Sequence, residues 1–174
     1  MGAAKAATQL GLPPAEAKRV YEQYHANVPF IKALGEECTR IATNRGYVKT
    51  FLGRRRRFQL FGPPKYSPGL IPLKKDLAEE KYGLPLKRYF VHEAMNAVIQ
   101  GSSADMIKLA MINLFKKGEV PHLTIHDELD FSVRDLDHAR MIREEMLTCV
   151  DLVVPLQVDC ELGPNWGEAV EVKL

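Results

Sequence analysis

Two neighbouring carboxylates, Asp127 and Glu128, stand between two short stretches, residues 122–125 and 129–133, in which apolar and polar residues alternate. That pattern predicts a hairpin with three ionisable groups, His126, Asp127 and Glu128, near its turn. Carboxylate oxygens held on a rigid turn are the ligands that hard divalent cations such as Mg²⁺ prefer, commonly together with substrate phosphates. Successive strand side chains point to opposite faces, so one of the two is expected to be the direct ligand. The same spacing also fits acidic residues at an ordinary exposed turn, where they are common.

Two further groups of residues suggest recognition of a polyanion. Arg54, Arg55, Arg56 and Arg57 form a cationic run between Phe51 and Phe58. On a strand-turn-strand it offers guanidinium groups to phosphates, bidentately where geometry allows; a solvated loop or an internal salt-bridge cluster is the alternative. Asn96 and Gln100 lie four apart in a helical pattern and share a face with His92. Such donors match the purine N3 and pyrimidine O2 acceptors of the DNA minor groove, although a polar stripe facing solvent has the same spacing. His25, His122 and His138 show no metal-ligand spacing and read as surface or core residues. There is no P-loop, GxGxxG or GxSxG motif, which removes the common nucleotide-cradle and hydrolase readings.

The elements that must position these groups follow from periodicity. Pro13-Pro14 opens a helix through Asn27, with Ala17, Val20, Tyr21 and Tyr24 on one face. Val28-Pro29 opens a second, with Ile31, Leu34, Cys38 and Ile41 as its apolar stripe and Gly46 as its stop. Residues 47–52 and 54–58 read as strands around Gly53. Residues 61–86 contain six proline and glycine breakers between Gly62 and Pro72 and are expected to be an ordered loop or insertion. Residues 86–117 form the longest helical pattern, with Gly101-Ser102-Ser103 as a candidate kink. Asp137 is the expected cap of a helix through about Cys149, with Ala139, Ile142, Met146 and Val150 facing inward. Residues 156–160 read as a last strand and Gly163-Pro164-Asn165-Trp166 as a terminal turn. The predicted class is α+β, helices beside a small antiparallel sheet.

Composition is consistent with a globular chain: 174 residues, 46% hydrophobic and 26% charged. No apolar run approaches the roughly 20 residues that span a bilayer, and the first residues do not read as an export signal. Three widely spaced cysteines, Cys38, Cys149 and Cys160, read as free thiols of a reducing compartment. The net charge of +2 hides an asymmetry: residues 1–90 hold 17 Lys and Arg against 7 Asp and Glu, and residues 91–174 hold 7 against 15. A basic half attracts a polyanion, and an acidic half can hold metal ions.

Together these segments resemble DNA polymerase family A, the bacterial DNA polymerase I-like enzymes, in a bacteriophage-type form. Residues 46–56, Gly-Tyr-Val-Lys-Thr-Phe-Leu-Gly-Arg-Arg-Arg, resemble its GYVxTxxGRRR segment. Residues 96–105, with Asn96, Gln100-Gly101 and Ala104-Asp105, resemble its NxxxQGxxAD helix, residues 124–129 its palm motif, and Gly163-Pro164-Asn165-Trp166 its ending. The resemblance implies a C-terminal part of the polymerase domain over 1–174: fingers-derived helices (1–46), a basic strand-turn-strand (47–60), a loop or insertion (61–86), a long DNA-facing helix (87–117), and a palm hairpin, helix and C-terminal strand (118–174). It implies that Asp127 is one of two metal-bridging aspartates of a two-metal Mg²⁺ site, with Glu128 auxiliary. His126 would contact the primer terminus, His92, Asn96 and Gln100 would read the minor-groove edge of the nascent pair, and Arg54 and Arg55 would grip the DNA backbone. The family's other metal-binding aspartate and its dNTP-binding helix are not in this sequence, and Met1-Gly2-Ala3-Ala4-Lys5 resembles the stretch just after that helix. The implied partners are primer-template DNA, dNTP and an upstream polymerase polypeptide, in the cytoplasm of a bacterium or phage-infected cell and with no membrane; the chain alone is expected to be inactive.

Two readings of other classes remain open from the residues. One is a non-catalytic DNA-binding module using the basic half. The other is a Mg²⁺-dependent nuclease on Asp127 and Glu128, for which Asp105 and Asp130 are the sequence-local additional carboxylates.

Overall fold

A computed structural model describes residues 3–65 and 67–174, so part of the Met1-Gly2-Ala3-Ala4-Lys5 stretch lies outside the described residues. Helices and four small antiparallel sheets make up an α+β chain. The chain divides into two units, residues 1–49 with 53–98, and residues 50–52 with 99–174.

In the first unit, helices α1 (Ala3–Leu10), α2 (Pro14–Asn27) and α3 (Pro29–Arg45) come in succession. Pro14 and Pro29 sit in the first helical turns, where a missing N–H costs nothing. Gly46 ends α3 in the left-handed conformation, φ 77°, and its N–H caps the carbonyl of Ala42. The chain then turns into β1 (Tyr47–Lys49), which pairs antiparallel with β2 (Arg55–Arg57). A compact core of Cys38, Ala42, Val48, Phe58 and Ala94 fills the space beneath, with Ile41, Val91 and Met95 packed against it. Its members are mostly small, so backbones approach closely. Arg88 seals one side: its guanidinium donates to the carbonyls of Thr43 and Phe58 and lies 3.0 Å from where a side chain on Gly46 would begin.

Residues 61–86, expected as an ordered loop or insertion, carry regular elements of their own. β3 (Leu60–Gly62) is the centre of a three-stranded sheet, flanked by β4 (Leu73–Lys74) and β5 (Lys87–Arg88). Helix α4 (Lys75–Tyr82) follows β4 directly, buries Ala78 and stops at Gly83, φ 68°. The prolines and Gly69 only make the link between β3 and β4. This sheet also corrects the start of the long helix. Lys87 and Arg88 pair with Gly62 and Phe61, and the Tyr89 N–H continues the ladder to Leu60. After a 3₁₀ turn, Val91–Glu93, helix α5 begins only at Ala94 and runs to Lys116, continuous through Gly101.

The second unit contains most of α5, the hairpin β6 (Leu123–Ile125) and β7 (Glu128–Asp130), helix α6 (Leu136–Thr148) and the ribbon of β8 (Cys160–Leu162) with β9 (Val170–Val172). Asp135, not Asp137, caps α6, accepting the His138 N–H at 2.8 Å; Asp137 instead pairs with Arg140 at 2.6 Å. Ala139 and Ile142 are buried and Met146 half-buried, as the periodicity predicts. Leu156, Val158 and Cys160 do alternate in burial with exposed Gln157 and Asp159, but no partner strand reaches 156–159 and the ladder starts at Cys160. Gly163 makes that ribbon possible, since a Cβ there would sit 2.7 Å from the backbone of Ala169.

Burial is sparse. Ile112, Phe115, Val120, Leu123 and Ile125 of the second unit are all exposed apolar side chains. Gly46→Ala is expected to lower stability by about 2 kcal/mol, combining left-handed strain with displacement of Arg88. The midpoint of urea unfolding checks this; an unchanged midpoint would contradict it.

Candidate functional site

The register Ile125↔Glu128 leaves His126 and Asp127 as a two-residue turn between β6 and β7. His126, Asp127 and Glu128 are all exposed there, so the three ionisable groups are brought together as the sequence predicts. His126 holds φ 54°, a conformation that costs a side chain about 1 kcal/mol or more. His122 braces the other end of the hairpin, with its N–H on the Asp130 carbonyl at 2.8 Å and its Nε2 3.0 Å from Ser132 Oγ. Asp130 Oδ2 is buried and has no hydrogen-bond partner among the described residues. No group of three His, Cys, Asp or Glu side chains converges as a metal cage among the described residues. Asp127 and Glu128 therefore offer a pair of hard oxygen donors, not a complete coordination sphere.

The β1–β2 ribbon arranges the cations. Tyr47↔Arg57, Val48↔Arg56 and Lys49↔Arg55 are directly opposed, and Val48 is buried. The opposite face of the ribbon therefore carries Lys49, Arg55 and Arg57. Arg55 lays its guanidinium over the Tyr47 ring at 4.7 Å, and Arg56 lies 5.5 Å over Phe58. Arg54 precedes the strand and is exposed. Sequence reading singled out Arg54 and Arg55; Lys49 and Arg57 join Arg55 through the period-two register, a signal available only once the pairing is known.

Asn96 and Gln100 are exposed on α5, one turn apart, and His92 is exposed in the 3₁₀ turn before it. Phe90, φ 61°, and His126 are the non-glycine residues with positive φ among the described residues, and each lies within two positions of a candidate site residue. Strain of this kind concentrates at functional sites because surrounding structure must hold it in place. Arg54, Arg55, His92 and Asn96 belong to the first unit, Gln100, His126, Asp127 and Glu128 to the second.

One interaction in the second unit has no counterpart in the sequence reading. Asp105 on α5 is 5% exposed and accepts a short hydrogen bond from Thr50 Oγ1, while Ser102 Oγ, one turn earlier, accepts the Phe51 N–H at 2.8 Å. Of these bonds, the one to Ser102 takes the Phe51 N–H, which then cannot pair in a ladder beyond Lys49. The other, from Thr50, occupies Asp105 in the fold, which removes it as a surface ligand for a nuclease. Burial raises the thiol pKa of Cys38, Cys149 and Cys160, so none is poised as a nucleophile. Asp105→Ala is expected to destabilise the second unit by about 2–3 kcal/mol, with Asp105→Asn costing roughly half as much. Urea denaturation followed by circular dichroism measures both; equal midpoints for wild type and Asp105→Ala would contradict the assignment.

Comparison with known proteins places this geometry. The sequence profile of DNA polymerase family A matches residues 1–168. A DNA-directed DNA polymerase of Pseudomonas phage M6 is 34% identical over 155 residues, covering 89% of this chain and 20% of that protein. The thermostable DNA polymerase I of Thermus aquaticus is 32% identical over 178 residues, covering 98% of this chain and 19% of that protein. Among solved structures, the polymerase domain of Pol1 from M. smegmatis, in complex with DNA primer-template and dNTP, superposes with a TM-score of 0.64 at 31% identity, covering 90% of this chain and 26% of that one. The chain thus spans about a fifth of the length of these curated relatives. On residues 1–168, this chain belongs to DNA polymerase family A.

Proposed function

We propose that the chain supplies one metal-binding carboxylate and part of the DNA-gripping surface of a template-directed DNA polymerase, and that an upstream polypeptide, joined to it or separate, supplies the rest. The observation that carries this is the Asp127–Glu128 pair exposed at a strained two-residue turn, inside a chain of this family. In this reading residues 1–46 are fingers-derived helices, 47–60 the basic ribbon, α5 (Ala94–Lys116) the DNA-facing helix and 118–174 the palm hairpin with its following elements.

The donor chemistry fits Mg²⁺: Asp127 would be the principal carboxylate ligand and Glu128 an auxiliary one, with a second aspartate supplied by the upstream polypeptide. When bound, a pair of such ions stabilises the attacking and leaving oxygens of an in-line phosphoryl displacement. The chain's own residues do the positioning. His126 holds the primer terminus beside Asp127. Asn96, Gln100 and His92 donate to the acceptors that every correct base pair presents in the minor groove. Arg54 and Arg55, with Lys49 and Arg57, hold backbone phosphates and fix register without reading sequence. Primer-template DNA and dNTP are the partners, as the M. smegmatis complex supports. No helix of the described residues is long and apolar enough to cross a membrane, and the proposed setting is the cytoplasm of a bacterium or phage-infected cell. The exposed apolar side chains of Phe115, Leu123 and Ile125 are where upstream palm elements would cover the hairpin.

Primer extension with Mg²⁺ and dNTPs, by the chain alone and mixed with an upstream family A polypeptide, tests this. The account expects no extension by the chain alone and extension in the mixture. Extension by the chain alone would overturn the need for a second carboxylate. Failure in both, with DNA binding unaffected by Asp127→Ala, would favour the non-catalytic binding module that the cationic ribbon face also suits.

A further inference from the structure

The segment least explained by polymerase chemistry is the β4–α4 excursion, and it builds a basic cleft. Gln59, Phe61, Lys74, Lys75 and Arg88 line a solvent-open cavity of about 350 Å³ in the first unit. Residues 54–90 hold 10 Lys and Arg against 3 Asp and Glu, in a chain whose net charge is +2. The cations of the cleft have distinct duties. Arg88 is committed to the fold, donating to the Thr43 and Phe58 carbonyls and stacked 4.6 Å over the Phe61 ring. Lys75 makes only an exposed pair with Glu79 at 3.5 Å, the kind that salt screens and that contributes little. Lys74 has no ion pair among the described residues, and its side chain is exposed. At β4 and the start of α4, two ammonium groups stand beside a fixed guanidinium, while the carboxylates of this segment, Asp76, Glu79 and Glu80, all follow on α4. Gln59 adds an amide that can donate to an oxygen.

We propose that this cleft is a second DNA-contact site, which takes the sugar-phosphate backbone outside the reacting base pair through Lys74 and Lys75. The inference rests on the reading of the chain as a DNA-binding polymerase part. The ligand class follows from the chemistry. Flexible, mobile ammonium groups on an open surface suit a repeating phosphate chain whose exact position varies, and they carry no base readout. A small anion such as a free triphosphate would instead call for an enclosed site with converging, fixed donors.

The test is fluorescence anisotropy of a labelled primer-template bound by the chain across a salt series, for wild type, Lys74→Gln/Lys75→Gln, and the control Lys18→Gln/Lys32→Gln. Both lysines of the test variant are exposed, and circular dichroism confirms that the fold persists. Loss of two phosphate contacts is expected to flatten the slope of log affinity against log salt by about 2. The wild-type advantage over the test variant should then shrink roughly tenfold between 50 and 200 mM salt. The control, on exposed lysines of α2 and α3, should change the slope by less than half as much. An unchanged slope for Lys74→Gln/Lys75→Gln overturns this site, and an equal effect of the control overturns it as generic charge. If Arg54→Gln/Arg55→Gln still weakens binding in either case, the polymerase reading stands while this inference falls. No DNA binding by wild type at low salt overturns both. Inhibition of DNA binding by tripolyphosphate that requires Lys74 and Lys75, with an unchanged salt slope, would assign the cleft to a small anion and overturn the proposal.

Discussion

A buried carboxylate must be satisfied, and the satisfaction of Asp105 by the Thr50 hydroxyl is the constraint on which the site's local architecture depends. A carboxyl group at 5% exposure has lost nearly all its water, and leaving it without a hydrogen-bond partner would cost several kcal/mol. Beside it Ser102 Oγ accepts the Phe51 N–H, two residues beyond the end of β1 at Lys49. Gly53, φ 88°, then lets the chain reverse into β2. The short ribbon that results has a register in which Lys49, Arg55 and Arg57 share a face. A polar network inside α5 and a cationic surface on the ribbon are thus linked through the covalent chain.

The β6–β7 hairpin was legible in the sequence because two local signals agreed: alternation over residues 122–133 and three polar residues at its centre. Helices α2 and α3 were legible for the same reason, with proline openings and a glycine stop. The misreadings share a physical cause: a hydrogen-bonding partner that the local pattern does not name decides the outcome. Residues 87–88 fit a helical period, yet β3 captured them as an edge strand. Residues 156–159 alternate well and still form no strand, because alternation describes burial and a ladder needs a neighbour. Asp135 and Asp137 are equally good caps by type, and only the His138 N–H decides between them. The Thr50–Asp105 bond spans 55 residues, and no local pattern announces it.

Small side chains dominate the buried set, and among the described residues Leu114 is the one large side chain below 2% exposure. Close approaches replace bulk at two glycines, Gly46 against the Arg88 guanidinium and Gly163 against the backbone of Ala169. Meanwhile the hairpin keeps its turn strained and its strands exposed. Both features suit a surface that completes its burial, its metal coordination and its substrate contacts against further polypeptide and DNA.

The account's central claim is that Asp127, more than its neighbour Glu128, does the chemistry. Single-turnover nucleotide incorporation by the chain assembled with an upstream family A polypeptide measures this directly, comparing Asp127→Asn with Glu128→Gln. The predicted result is a loss of at least about 10³-fold for Asp127→Asn, equivalent to roughly 4 kcal/mol of transition-state stabilisation, a smaller loss for Glu128→Gln, and primer-template affinity little changed in both. Incorporation by Asp127→Asn within tenfold of wild type would contradict the account.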